Sequence, residues 1–182
     1  MVVTHEVDKI DQIVRRLLEF AKPAPPQLGT VKVSQLLDET LDLLTSEALR
    51  RQVEIRRDYG DTDVIQADSQ QLKQVFLNLF LNSFEAMNGS GGTLLIETVK
   101  RDTSLLVSIR DTGHGVSKEQ LTHIFDPFFT TKATGTGLGL SIVQSILTEH
   151  HATITFDSKL HQGTTCVLRF PLMIVTGRHE QE

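Results

Sequence analysis

The sequence has little of what several common protein classes require. Cys166 is its only cysteine, which excludes a disulfide framework and a cysteine-based zinc site. No apolar run approaches the roughly 20 residues that a membrane helix needs, and the seven histidines show no metal-ligand spacing. The 18 basic and 23 acidic residues are interleaved, for a net charge of −5. We therefore expect no nucleic-acid partner and no membrane contact by this chain.

The scarcity of cysteine also bears on the compartment. Cys166 lies in a strand-like stretch and is expected to be a buried, inert thiol, and the first residues of the chain lack the apolar core of a signal peptide. Both features favour a reducing compartment. We expect a cytoplasmic chain, whose parent protein can still be tethered to a membrane through other segments.

A cluster of prolines divides the chain. Residues 6 to 20 carry apolar side chains at helical spacing, and Pro23, Pro25 and Pro26 stop this helix and favour a stiff linker. We therefore predict a helix at residues 1–22, a proline-rich linker at 23–30 and a main domain at 31–182. The apolar stripe of the first helix is expected to pack against a partner helix.

The main domain contains both helices and strands. We predict an amphipathic helix capped by Ser34, strands at 53–57 and 64–67, and a long helix capped by Asp68. Strands at 94–99 and 105–109 follow, and Ser117 opens a short helix with a capping box. A loop without apolar periodicity at 126–136 precedes a helix at 139–149 and a closing hairpin at 153–156 and 164–170.

A polar stripe runs along the predicted long helix. At about 100° per residue, one sector contains Gln71, Gln74, Asn78, Asn82 and Glu85, and its flanks are apolar. Asparagine is a poor helix former, so two of them one turn apart favour a cleft floor over a solvated face. Amide oxygens suit Mg²⁺, which binds few protein oxygens beside phosphates and water.

Two glycine-rich segments follow the strands. Asp111 precedes Gly113 and Gly115, where a carboxylate can accept a hydrogen bond from an amine such as adenine N6, or where the chain makes only an Asp-Gly turn. A second segment runs into a helix start, where unpaired amides attract phosphate, or it is only a flexible hinge. It matches neither a Walker loop nor the dinucleotide fingerprint. Its glycines are Gly135, Gly137 and Gly139.

Three phenylalanines stand at the start of the loop between these segments. Phe125, Phe128 and Phe129 are either ordinary core residues or the anchors of a lid that recloses around a nucleotide. Lys132 follows them on the loop, with Thr130 and Thr131, and could reach phosphates.

In their order, these four motifs resemble the catalytic and ATP-binding domain of sensor histidine kinases. That domain lies within the superfamily that includes gyrase, mismatch-repair and heat-shock chaperone ATPases. The resemblance covers about residues 31 to 172. It implies an α+β fold, a two-layer α/β sandwich with a mixed, mostly antiparallel sheet (the Bergerat-type ATP-binding fold), preceded by one helix.

The resemblance also implies cofactors and roles. ATP and Mg²⁺ would be the cofactors, with Asn82 as the main metal ligand and Asn78 beside it. Asn78 and Lys132 would be the catalytic residues, and Asp111 would bind the adenine amine. The implied nucleotide-binding set is Asn82, Glu85, Asp111, Gly113, Gly115, Val116, Phe125, Phe128, Thr130, Thr131, Lys132, Gly135, Thr136, Gly137, Leu138, Gly139, Leu140 and Thr164.

The first segment resembles the second helix of the family's dimerisation and phosphotransfer hairpin. The first helix of that hairpin, with its phosphoacceptor histidine, is not in this chain, and Ile10 stands where the acceptor motif after His5-Glu6 would need proline. We therefore expect a kinase module that serves a histidine of another segment and cannot phosphorylate itself alone. The implied partners are that segment, a response regulator and, in the full-length protein, a second copy of the chain.

Three other functions compete with this interpretation. An anti-sigma-type serine kinase shares the ATP motifs, but the Leu-Glu-Phe-Ala-Lys-Pro exit of the first helix argues against it. A chaperone- or repair-type ATPase needs a carboxylate one turn before the metal ligand, where this chain has Asn78. A nucleotide-sensing pseudokinase is disfavoured by the intact motifs.

Overall fold

The computed structural model describes residues 25–61, 63–132 and 135–172. The helix predicted at residues 1–22 and His5 lie outside these ranges. In chain order the elements are β1 (Gly29–Lys32), α1 (Val33–Asp42), α2 (Thr45–Arg50), β2 (Val53–Tyr59), β3 (Val64–Ala67), α3 (Ser69–Ala86), β4 (Gly92–Arg101), β5 (Ser104–Asp111), α4 (Lys118–Leu121), α5 (Gly139–Glu149), β6 (Thr153–Lys159) and β7 (Gly163–Pro171).

The main sheet has five strands in the order β2-β4-β5-β7-β6. The β2–β4 pair is parallel and the other three pairs are antiparallel. A separate two-stranded sheet pairs β1 with β3. Helices α3 and α5 pack against each other and against the sheet, and α1 packs on α3. The predicted α+β, two-layer architecture with a mixed, mostly antiparallel sheet is confirmed.

The core lies between one face of the main sheet and the helices. Alternate residues of the central strands point into it, so Ile96, Val107 and Leu168 are fully buried while their neighbours in sequence are more exposed. Phe76 and Phe80 of α3 pack against this face and are also fully buried. Each such side chain contributes about 1.5–3 kcal/mol by burial. Cys166 lies in the same layer, and burial raises the pKa of its thiol to about 12, as an inert thiol requires.

The start of α3 is fixed by hydrogen bonds of two side chains, those of Asp68 and His150. As predicted, Asp68 caps the helix by accepting hydrogen bonds from the amides of Gln70 and Gln71 at 3.0 and 3.1 Å. The backbone N–H of Asp68 donates to Nε2 of His150 at 2.9 Å. Nδ1 of the same imidazole lies 2.8 Å from the carbonyl oxygen of Ile146 in α5. His150 thereby connects the start of α3 to α5. None of the helices in the described part is long and apolar enough to cross a bilayer.

Two details of the first elements differ from the sequence-based expectation. Helix α1 starts at Val33, and Ser34 is not its cap; the Ser34 amide donates instead to the carboxylate of Asp63 at 2.8 Å. The acceptor comes from 29 residues away, so local sequence could not reveal it. Strand β1 was not predicted, and because it begins at Gly29, the last two residues of the predicted linker belong to the folded domain.

Candidate functional site

A cavity of about 840 Å³ opens on the described part of the chain. It lies between α3, the loop after β5, the segment before α5 and the hairpin of β6 and β7. Most of the predicted site residues line it. They are Asn78, Asn82, Glu85, Asp111, Gly115, Val116, Thr130, Thr131, Lys132, Gly135, Thr136, Gly137, Gly139, Leu140 and Thr164.

One end of the cavity is built around Asp111, the last residue of β5. Its Oδ1 accepts hydrogen bonds from the backbone amides of Gly113 at 2.9 Å and Thr164 at 3.2 Å. The carboxylate also accepts one from the side chain of Ser83 in α3. Gly163, with a φ of 89°, allows this approach, since a Cβ there would collide with the carbonyl oxygen of Asp111.

Burial raises the pKa of Asp111, although its bonds from Gly113, Thr164 and Ser83 act in the opposite direction. Asp111 is 4% exposed, so a desolvated carboxylate lies in the wall of the cavity. A carboxylate has about four lone-pair positions, and it therefore keeps acceptor capacity for a ligand. Such a group suits an uncharged donor, for example the amine of a base.

The other end of the cavity is lined by the polar face of α3. Asn78, Asn82 and Glu85 lie there one above another, as the helical period predicts. Lys132 reaches across from the facing loop, donating a hydrogen bond to Oδ1 of Asn82 at 2.9 Å and forming an ion pair with Glu85. Both ion-paired side chains are 41% exposed, so the pair contributes about 0–1 kcal/mol.

The glycine-rich segment meets the start of α5 at this same end. Helix α5 has no side-chain cap at Leu138, and Gly139 and Leu140 of its first turn line the cavity. Gly137 has a φ of 67° and accepts a hydrogen bond from the Phe128 amide at 3.0 Å, and a Cβ at Gly137 would collide with the Phe128 backbone. The segment therefore brings amides and a helix N-terminus to the cavity, a combination that binds anions.

Four predicted site residues do not line the cavity. Gly113 supports Asp111 through its amide, and Leu138 is fully buried at the start of α5. Phe125 packs edge-on against Phe156, which does line the cavity, at a centroid distance of 5.7 Å. The Phe128 side chain is 60% exposed. Gly113 and Phe125 therefore support residues of the wall, while Phe129 is part of the wall itself.

The structure also adds residues that the sequence analysis did not single out. Ser83 lies on the buried side of α3 and donates a hydrogen bond to Asp111, and a serine on an otherwise apolar helix face was the available signal. Ser158 of β6 accepts a hydrogen bond from the amide of Val116 at 2.8 Å. His114 lines the cavity as well. No spacing rule identifies Ser158, because its partners come from other elements.

The residues at the second end fit Mg²⁺ in the way expected for a nucleotide-bound ion. Among the described residues, no group of three or more His, Cys, Asp or Glu side chains is placed to hold a metal by itself. The amide oxygen of Asn82 and the carboxylate of Glu85 nevertheless surround one positive charge, the ammonium group of Lys132. Two or three oxygen ligands beside an anion-binding segment suit an ion that takes its remaining ligands from phosphate and water.

Comparison with known proteins agrees with this geometry. Residues 67–174 match the family described as histidine kinase-, DNA gyrase B- and HSP90-like ATPase. The chain is 37% identical over 174 residues to the sensor histidine kinase ZraS of Escherichia coli strain K12. It is 35% identical over 173 residues to sporulation kinase C of Bacillus subtilis strain 168. These alignments cover 95% and 94% of this chain but only 37% and 40% of the two relatives.

Solved structures show the same fold. The nucleotide-free catalytic domain of histidine kinase ThkA has 29% identity and a TM-score of 0.73, with 80% of this chain and 95% of that domain covered. Full-length ShkA in complex with AMPPNP has 25% identity and a TM-score of 0.81, with 92% of this chain and 36% of that one covered. The chain therefore belongs to the family of histidine kinase-, DNA gyrase B- and HSP90-like ATPases, and its folded domain has the fold of a histidine kinase catalytic domain.

Proposed function

We propose that this chain is the kinase module of a two-component sensor histidine kinase. It binds Mg-ATP and transfers the γ-phosphate to a histidine nitrogen of another segment. The observation that supports this most strongly is the convergence on one cavity of a buried carboxylate, an asparagine-bearing helix face and an uncapped helix N-terminus with glycine-rich amides.

The adenine occupies the end of the cavity at Asp111. The carboxylate accepts a hydrogen bond from the exocyclic amine, and the backbone amides of Gly113 and Thr164 hold its Oδ1 in place. Gly115 and Val116 line the base pocket beside it. Because Asp111 is desolvated and already oriented, little reorganisation accompanies binding.

The triphosphate lies along α3 and the start of α5. The amides of the glycine-rich segment bind phosphate oxygens, and Lys132 leaves Asn82 and Glu85 to contact the γ-phosphate. The amide oxygens of Asn82 and Asn78 would hold Mg²⁺, which would supply charge neutralisation at the phosphates. Catalysis is then mostly positioning and charge stabilisation, as in other phosphoryl transfers.

In the reaction a bond forms between the γ-phosphorus of ATP and an imidazole nitrogen. The bond between the γ-phosphorus and the bridging oxygen breaks, and ADP leaves with that oxygen. The acceptor histidine comes from the parent kinase, and an aspartate of a response regulator receives the phosphoryl group next. A solved histidine kinase of this fold, ThkA, is in complex with the response regulator protein TrrA. We propose the same class of partner here, and a homodimer for the full-length protein.

Rapid ATP hydrolysis is the less favoured function. A hydrolytic enzyme of this family needs a carboxylate to activate water one turn before the metal ligand, where this chain has Asn78. Of the described residues that line the cavity, only Glu85 and Asp111 carry carboxylates. Glu85 is paired with Lys132, and Asp111 is bonded to backbone amides at the other end, so neither is placed as a free base.

Radiolabelled ATP tests the proposal. The isolated chain is expected to bind ATP, to hydrolyse it slowly and to acquire no label, whereas an added helical segment with an acceptor histidine is expected to acquire an acid-labile, base-stable label. Acid-labile label on the isolated chain that His5→Gln abolishes would show that the chain supplies its own acceptor. Label on serine would assign the chain to the anti-sigma kinases.

A further inference from the structure

Ser158 makes three contacts through one hydroxyl group. Its Oγ accepts a hydrogen bond from the Val116 amide at 2.8 Å, lies 3.0 Å from the carbonyl oxygen of Gly163, and lies 2.9 Å from Oγ1 of Thr164. Ser158 is on β6, Val116 ends the loop after Asp111, and Thr164 pairs with Ser158 across the hairpin. The hydroxyl therefore joins three segments that border the end of the cavity at Asp111.

The proton directions of this network follow from elementary chemistry. A carbonyl oxygen can only accept, so the single proton of Ser158 is donated to Gly163. The Ser158 oxygen must then accept from Thr164 for the third contact to be a hydrogen bond. The proton of the Thr164 hydroxyl is thereby directed at Ser158, and only lone pairs of Thr164 Oγ1 remain for the cavity that Thr164 lines.

We propose that Ser158 is a positioning residue for base recognition, one that fixes the Thr164 hydroxyl as an acceptor beside the acceptor Asp111. The inference rests on the proposed function, in which a purine nucleotide occupies the cavity. The amide of Thr164 donates to Oδ1 of Asp111 at 3.2 Å, so one residue links both acceptors. Two adjacent acceptors match the exocyclic amine of a 6-aminopurine and repel the carbonyl of a 6-oxopurine.

A purely structural role for Ser158 predicts something different. Its loss leaves the Val116 amide without its acceptor and loosens the loop after Asp111, which weakens binding of every purine alike. The proposed orienting role instead changes the ratio of two affinities, because a freed Thr164 hydroxyl can turn and donate to a carbonyl. The ratio of dissociation constants for ITP and ATP separates the two roles, because ITP carries a carbonyl oxygen in place of the 6-amine, together with a proton on N1.

The test is calorimetric titration of the whole chain and of Ser158→Ala with ATP and ITP. We expect Ser158→Ala to bind ATP about three- to tenfold more weakly, and its ITP:ATP ratio to fall about three- to tenfold, each being one hydrogen bond. Ser158→Thr keeps the hydroxyl and is expected to keep the ratio. Ser108→Ala is the same change on the opposite face of the sheet. It is expected to leave the dissociation constants for ATP and for ITP unchanged.

Thr164→Val keeps the test decisive if Ser158→Ala folds poorly. It removes the hydroxyl itself, so the ITP:ATP ratio is expected to fall, and adding Ser158→Ala to it is expected to change the ratio no further. Two results would overturn the role of Ser158 while leaving the proposed function intact. One is a Ser158→Ala protein that binds more weakly with an unchanged ITP:ATP ratio. The other is a double variant in which the effects on the ratio add. Absence of ATP binding by the unmodified chain would overturn the proposed function with it.

Discussion

The two ends of the cavity hold their charged groups in different ways. At one end Asp111 is 4% exposed, and its carboxylate is bonded to the backbone amides of Gly113 in the following loop and Thr164 in β7. At the other end Lys132 and Glu85 are each 41% exposed and are held mainly by one another. A buried group fixed by backbone is ready for its ligand before binding, whereas an exposed ion pair exchanges partners at little cost. The first arrangement suits selection of a base, and the second suits a loop that must open and reclose.

A substitution at Gly163 should have the largest effect on stability and on ATP binding, because a side chain there collides with the backbone of Asp111. Gly163→Ala adds a side chain at a φ of 89° where its Cβ would collide with the Asp111 carbonyl oxygen. We expect the free energy of unfolding, measured with urea, to fall by more than the ~1–3 kcal/mol of a strained backbone conformation. We also expect ATP binding to be lost. Gly89 has the same φ of 89° but nothing within 4 Å, so Gly89→Ala isolates the cost of the backbone conformation. Equal losses in the two variants would contradict the account of the collision.

Asp111→Asn should affect binding without affecting the fold. The amides of Gly113 and Thr164 both donate to Oδ1 and keep an oxygen at that position. The new amide nitrogen therefore replaces the other carboxylate oxygen. It is a donor, and it faces the adenine amine, which is also a donor. We expect ATP to bind about ten- to a hundredfold more weakly, with an unchanged or higher free energy of unfolding, since a desolvated charge is removed. Calorimetry and urea unfolding measure the two effects. A large loss of stability would show that the charge itself holds the loop.

The raised pKa of Asp111 predicts a pH dependence of stability and of ATP binding. Burial raises it above the ordinary value of 3.8, so the folded chain takes up this proton at a higher pH than the unfolded chain does. Between the two pKa values, the contribution of Asp111 to the free energy of unfolding therefore increases as the pH falls. ATP affinity moves the opposite way, because the protonated oxygen no longer accepts from adenine. Affinity measured from pH 7 down to pH 4 should fall in the unmodified chain and should fall less in Asp111→Asn.

The smallest effect is expected at the exposed end. Lys132→Ala removes the ion pair with Glu85 and one phosphate contact, and should weaken ATP binding about three- to tenfold without changing the free energy of unfolding. Without nucleotide, amides of the described part of the lid should exchange faster in this variant, and high salt should reduce the difference. Lys100→Ala, an exposed lysine of β4, is the matched control. Identical amide exchange rates in the two variants would show that Lys132 does not hold the lid in place.

What the sequence could predict follows from how local each signal is. The cap at Asp68, the capping box at Ser117 and the hairpin around Gly163 depend on residues a few positions apart, and the structure has all three. Helical period placed Asn78 and Asn82 on one face. By contrast, the short strand β1 exists only because β3 pairs with it, and its sequence carries little apolar alternation.

The predicted site shows the same division. Each of the four motifs contributes residues to one cavity, because each contains a local reason to be a turn, a stripe or a helix start. The bond of Ser83 to Asp111 and the bond of Ser158 to Val116 were not predictable, because each joins residues far apart in sequence and one hydroxyl group carries no periodic signal. The side-chain directions of Phe125 and Phe128 were likewise beyond local rules, since neither lines the cavity.

Calorimetric titration of the intact chain with ATP and with GTP, each with and without Mg²⁺, tests the central claim most directly. We predict that ATP binds, that Mg²⁺ strengthens its binding, and that GTP binds at least about tenfold more weakly, because a carbonyl replaces the amine that faces Asp111. Equal affinities for ATP and GTP, or ATP binding indifferent to Mg²⁺, would contradict it.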